Sequence, residues 1–174
     1  MTYRLTFDKN GRLVGPAKIT YNDPFSTHNG TPGGGASVMM GVVMHTEVGF
    51  EAGTEHLFNE RRSHASSFFS IGDDGAIHQY GPVGKNWMAW AQAAGNPAWY
   101  SIEHSDGGDQ HRKLTPEQEF ASALVVEALS HFAGFPLQVT NSVNEPGYGV
   151  HVMGGVAWGD HTCPGLARGL PSAR

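Results

Sequence analysis

Three residues offer the sharpest chemistry in this chain. His45 ends the apolar run Val38-Met39-Met40-Gly41-Val42-Val43-Met44, and His151 and Cys163 lie near the C-terminus. Two imidazoles and a thiolate are a donor set for a zinc ion that keeps one coordination position open for reacting groups. Each residue alone has a plainer reading: a strand histidine is usually a hydrogen-bonded structural residue, and a lone cysteine packs as a small hydrophobe. The interval from His151 to Cys163 is also not that of a local zinc knuckle. If the three converge, soft sulfur and imidazole ligands select zinc over the oxygen-seeking magnesium or calcium.

Composition leans the same way, with ten His against eleven Lys and Arg, since imidazole is the commonest metal ligand and a frequent acid–base group. Most other histidines have ordinary places. His28 falls in a loop, His56 and His64 are expected to be partly exposed, His78 alternates with Ile77 on a strand, His111 lies in a charged loop, and His131 sits near a helix C-terminus. His104, beside Glu103, is the one that could also turn toward a cleft. Trp87, Trp90 and Trp99 read as core or cleft wall; Trp158, between two proposed ligands, is expected beside a substrate. Asp106 and Asp109 around Gly107-Gly108 read as a solvated turn rather than a calcium loop. Thr31-Pro32-Gly33-Gly34-Gly35 lacks the following Gly-Lys-Ser/Thr of a phosphate cradle and reads as loop.

These side chains need elements to hold them. The apolar run 38–44 has the composition of a strand buried on both faces, which places His45 at its C-terminal end, where α/β proteins gather functional groups. Residues 51–63 suggest a short helix with Ala52, His56, Leu57 and Phe58 inward. Ser66 to Ile71 and Ala76 to Tyr80, joined by Asp73-Asp74-Gly75, predict a hairpin. Trp99 to His104 is a further short β segment, and 22–36 is loop by composition. The clearest helix is 115–133: Thr115 at the N-cap, Pro116 at N1, Gln118 completing a capping box, and Gly134 with Pro136 as the stop. Its apolar face is expected to be Phe120, Ala121, Leu124, Val125, Ala128, Leu129 and Phe132.

Gly41-Val42-Val43-Met44-His45-Thr46, Ser66 to Gly75, Tyr100-Ser101-Ile102-Glu103, His151 and His161-Thr162-Cys163-Pro164-Gly165 follow one another in an order that resembles the type 2 N-acetylmuramoyl-L-alanine amidases. That family includes phage endolysin amidases and the related peptidoglycan-recognition proteins. The resemblance covers about residues 38–166, with 1–37 as an N-terminal strand and Gly-rich loop. It implies an α/β fold, a single domain over 1–174 with a central mixed β-sheet flanked by helices. It also implies Zn2+ bound by His45, His151 and Cys163, Glu103 as general base, His161 as oxyanion stabiliser, and Thr46 and Trp158 near substrate. The implied reaction is hydrolysis of the amide joining N-acetylmuramic acid to L-alanine in peptidoglycan. Two departures stand out. Ser67 occupies a position where other branches carry Tyr, and the His151–Cys163 interval is long, so His161 in place of Cys163 as third ligand stays open.

The other partner classes fall away on composition. A net charge of -5 argues against a nucleic-acid binder, and no run of about 18 apolar residues offers a membrane span. With one Cys there is no internal disulfide, and the first residues have no signal-peptide apolar core. The expectation is a monomer made in a host cytoplasm without a signal peptide, acting on the bacterial wall as a phage endolysin catalytic domain. Two alternatives stay open from the sequence: a non-catalytic peptidoglycan-binding module on the same fold, and a zinc peptidase cutting the stem peptide.

Overall fold

The computed structural model describes residues 3–22, 29–84, 86–109 and 111–165. Its strands are β1 (Thr6–Phe7), β2 (Leu13–Val14), β3 (Ile19–Tyr21), β4 (Thr31–Pro32), β5 (Gly41–Met44), β6 (Phe69–Ile71), β7 (Ile77–Gln79), β8 (Trp87–Met88), β9 (Trp99–His104) and β10 (Gly147–Val150); its helices are α1 (Glu51–Asn59) and α2 (Pro116–Ala133). Six strands form a mixed sheet in the order β10-β5-β9-β6-β7-β3. All its neighbours run parallel except the β6–β7 hairpin. β1 with β2 and β4 with β8 make small antiparallel pairs.

The uncharged run around Val42 and Val43 becomes β5, an inner strand with both valines fully buried. Burying a side chain of this kind stabilises the fold by about 1.5–3 kcal/mol. On one face Val42, Phe69, Ile71, Tyr100 and Ile102 pack against Leu124, Val125, Ala128 and Leu129 of α2. On the other, Val43, Trp99 and Trp158 form a smaller cluster. The strand starts at Gly41, later than the apolar run, and Val38 is exposed. At Gly41 a Cβ would stand 1.6 Å from the Gly147 carbonyl oxygen, so only glycine lets β10 approach β5 there.

The capping box at Thr115 and Gln118 and the left-handed Gly134 delimit α2 as its sequence predicts. Two of its expected inward residues turn out differently. Phe120 and Phe132 are 54% and 46% exposed, each covered in part by an edge-on ring, Tyr3 and Phe7 respectively. Gln118, Ser122 and Val126 are buried in their place. Helix α1 ends at Asn59 and faces inward through Thr54 and Phe58, with Ala52, His56 and Leu57 outward. Nine residues supply a stripe of only one i, i+4 pair. Asn29 closes its end, its Nδ2 donating to the carbonyls of Phe58 and Glu60 at 2.7 and 2.9 Å. Part of the expected 22–36 loop is thus structured, since Asn29 is buried and Thr31–Pro32 pairs with β8. His28 lies outside the described residues. Among the described residues, no helix is long and apolar enough to cross a membrane.

Candidate metal centre and active site

Parallel strands β5 and β10 are paired in register up to Met44 and Val150. His45 and His151 follow directly, both buried, with ring centroids 4.6 Å apart. Between His151 and Trp158 the chain coils tightly as a 3-10 segment broken at Gly155. This absorbs the long interval and brings Cys163 back, its carbonyl accepting from the Val152 N–H at 3.1 Å. The Thr46 backbone N–H points at Cys163 Sγ, 3.2 Å away. One donor atom from each of His45, His151 and Cys163 lies within 4.8 Å of the others. That converging group contains Cys163 rather than His161.

The far nitrogens of both histidines are occupied. His45 Nε2 lies 3.1 Å from Gln92 Oε1, and Gln92 Nε2 donates to the Trp99 carbonyl at 2.8 Å. Since that carbonyl only accepts, the Gln92 amide is oriented and Oε1 receives the His45 proton. His151 Nε2 faces the Trp158 carbonyl at 3.0 Å and donates to it. Each ring is therefore the Nε2–H tautomer with the Nδ1 lone pair free. Burial, with His151 alongside, holds the His45 pKa down at about 3, and burial lowers that of His151 too. Both imidazoles are neutral at pH 7, the state in which they ligate a metal.

Glu103 reaches the same place from β9, with Oε1 3.8 Å from His45 Nδ1. Burial raises its pKa to about 8, with the Glu47 carboxylate adding to the effect. Glu47 is itself raised to about 7 by burial, while its Oε1 accepts the Ser105 hydroxyl. His161 stacks on His151 at 4.8 Å and 27° and is solvent-exposed. A cleft of about 510 Å³ opens over these groups, with Trp90 and His64 along its wall. The Trp90 indole N–H is fixed by Thr31 Oγ1 at 2.9 Å.

His45, His151, Cys163, Glu103 and His161 thus come together in one cleft, as does Thr46. Thr46 serves the segment beside it, its hydroxyl directed at the Pro164 carbonyl at 3.4 Å. Trp158 is 4% exposed rather than open in the cleft: it packs edge-on to Trp99 and over the bare Cα of Gly154, its ring lies 6.3 Å from that of His151, and its carbonyl faces His151 Nε2. Ser67 is fully buried and donates to Ser101 Oγ, away from the cleft. His104 is buried as well, its Nδ1 donating to the His45 carbonyl at 2.9 Å and its Nε2 facing the Ser122 hydroxyl. Asp106 is buried rather than solvated, and its Oδ1 accepts from the N–H groups of Gly49 and Gly108. Gln92 and Glu47 were not singled out by sequence. Nothing in Ala91-Gln92-Ala93 signals a role, because its partner is distant in the chain.

The family model described as N-acetylmuramoyl-L-alanine amidase matches residues 35–166. Among solved structures, the chain is similar to the Staphylococcus aureus hydrolase AmiA, at 16% identity and a TM-score of 0.59, covering 84% of this chain and 71% of that one. It is similar to the endolysin amidase LysCS of Clostridium intestinale, at 16% identity and a TM-score of 0.58, covering 87% and 89%. The Drosophila peptidoglycan recognition protein SA aligns at 13% identity and a TM-score of 0.63, covering 88% of each chain. These likenesses establish the fold. No curated protein matches.

Proposed function

This chain belongs to the N-acetylmuramoyl-L-alanine amidase family, and from there we propose that it is a zinc-dependent phage endolysin cutting the amide between N-acetylmuramic acid and L-alanine in peptidoglycan. The observation that carries the reading is the convergence of His45, His151 and Cys163 at the floor of a cleft that also contains Glu103. The residues fit zinc: two neutral imidazoles with free Nδ1 lone pairs, each held from behind, and a sulfur facing a backbone N–H. Zinc held there would supply a Lewis acid that makes water nucleophilic at neutral pH and polarises the scissile carbonyl.

Glu103 takes the proton of the attacking water and passes it to the L-alanine nitrogen as the C–N bond breaks. Burial raises the Glu103 pKa to about 8, which favours the protonated carboxyl that hands its proton to the leaving nitrogen. The water oxygen ends on the lactyl carboxylate, and L-alanine leaves with a free amine. His161, on the open side of His151, donates to the carbonyl oxygen as negative charge develops there. Trp90 offers a flat apolar wall for a sugar ring. The endolysin role draws on the likeness to the Clostridium intestinale enzyme, with synthesis in the host cytoplasm and action at the wall.

The test is mass spectrometry of purified sacculi digested with the protein, with chelator and with zinc restored. Stem peptides with free L-alanine amino termini, detached from glycan strands that stay intact, are expected, lost with chelator and regained with zinc. Cleavage within the stem would identify a peptidase. A zinc-loaded protein that cuts nothing would be a binding module.

A further inference from the structure

We infer that His104 is a positioning residue of the metal centre, acting on His45 and Cys163 together through the one peptide group that joins His45 to Thr46. This rests on the zinc reading above and extends it to a side chain outside the converging donors.

His45 stands one residue beyond the paired part of β5, with its N–H donating to the Ile102 carbonyl at 2.8 Å. Its own carbonyl accepts from His104 Nδ1 at 2.9 Å. A carbonyl only accepts, so that ring nitrogen carries the proton. The far end of the same peptide group is the Thr46 N–H, 3.2 Å from Cys163 Sγ. This peptide is trans, so its C=O and N–H point in opposite directions and turn as one plane. Holding the carbonyl against His104 therefore aims the N–H at the sulfur. It also fixes the backbone from which the His45 ring projects. A donor on the carbonyl polarises the peptide group, which makes its N–H a stronger donor to a thiolate.

His104 can act as an anchor because it is itself held. It is 1% exposed at the end of β9. Its Nε2 lies 2.7 Å from Ser122 Oγ, and that oxygen lies 2.7 Å from the Gln118 carbonyl. Gln118 Nε2 in turn donates to the Ser105 carbonyl at 2.9 Å. The imidazole thus bridges the N-terminal half of α2 to the ligand-bearing end of β5. This gives the two buried polar residues of that helix, Gln118 and Ser122, a purpose that its apolar stripe does not have.

Cobalt(II) is the probe, read by its absorption spectrum and by its affinity. Wild type should show a thiolate-to-cobalt band from Cys163. His104→Gln carries an amide that reaches toward Ser122, whereas His104→Asn places an N–H close to where Nδ1 stands. Weakening the N–H···S bond raises the sulfur lone pairs in energy. His104→Gln should therefore move the band to longer wavelength and weaken cobalt binding by about 10- to 100-fold. His104→Asn should restore both. Circular dichroism checks the fold, and His104→Phe, which keeps a ring without the donor, replaces His104→Gln should that variant unfold. A band at the wild-type wavelength in the folded donor-free variant overturns the inference. Equal shifts with His104→Asn also overturn it and leave His104 as packing alone. Wild type that binds cobalt without a thiolate band overturns the metal reading itself, and this inference with it.

Discussion

Gln92 holds the rear of His45: its Oε1 lies 3.1 Å from His45 Nε2 while its own Nε2 is fixed on the Trp99 carbonyl. The amide thereby sets the tautomer that leaves Nδ1 open to the cleft. Gln92→Leu should weaken zinc binding by about 10- to 100-fold, the usual cost of removing such a support. Competition against a chromogenic chelator measures it. An unchanged affinity would mean that Gln92 only fills space.

In the proposed reaction Glu103 moves protons without holding the metal. Glu103→Gln should lower turnover by about 10²- to 10⁴-fold while zinc content stays at the wild-type level. Loss of zinc in this variant would instead identify Glu103 as a ligand.

His161 lies outside the converging donors and open to solvent. Its removal as His161→Ala should cost about 3 kcal/mol in the transition state. A turnover rate that His161→Ala leaves unaltered would exclude the oxyanion role.

Buried acids make the metal-free protein sensitive to alkali. The pKa values of Glu103 and Glu47 are raised from 4.5 to about 8 and about 7, so the folded state retains protons that the unfolded chain releases. Their contribution to stability is complete below 4.5 and is lost as pH rises through these values. His45 works in the other direction: with its pKa lowered from 6.5 to about 3, stability is lost as pH falls through that interval. Thermal melts in chelator should show Glu103→Gln losing less Tm than wild type between about pH 5 and 9. Parallel losses would contradict the assignment.

The Thr115 hydroxyl accepts the Gln118 N–H at 3.1 Å and donates to the Asp73 carbonyl at 2.9 Å. Thr115→Ala should therefore destabilise the protein by about 1 kcal/mol or somewhat more, measured by denaturant unfolding. No change would mean that water replaces both bonds.

The most local features were the most legible in the sequence. The Thr115 cap, the Gly134 stop and the Asp-Gly hairpin turn each depend on a few adjacent residues, and all appear where expected. The apolar run revealed β5 and placed His45 at its end for the same reason. Burial was harder to read where distant segments decide it. Phe120 and Phe132 have the spacing of core residues, but the N-terminal segment supplies only a partial cover for them. The burial of Trp158 was not legible because its position between the proposed ligands in the chain says nothing about which way the 3-10 coil turns its ring. Gln92 and Glu47 act across long sequence separations, on His45 and Ser105 respectively, and no periodicity encodes such pairings. The ligand and catalytic assignments themselves came from family resemblance, since isolated His and Cys residues do not announce convergence.

The register of β5 with β10 has a kinetic consequence. His45 and His151 extend from adjacent strands whose spacing of about 4.8 Å is a property of the hydrogen-bonded ladder. The ladder forms with the rest of the sheet, so the gap between the two rings is set when the chain folds. Chelation and reloading should then be a simple association and dissociation, with no conformational phase limiting either direction. The protein would keep its architecture through cycles of zinc loss and recovery, in contrast to small domains that collapse when their ion is removed.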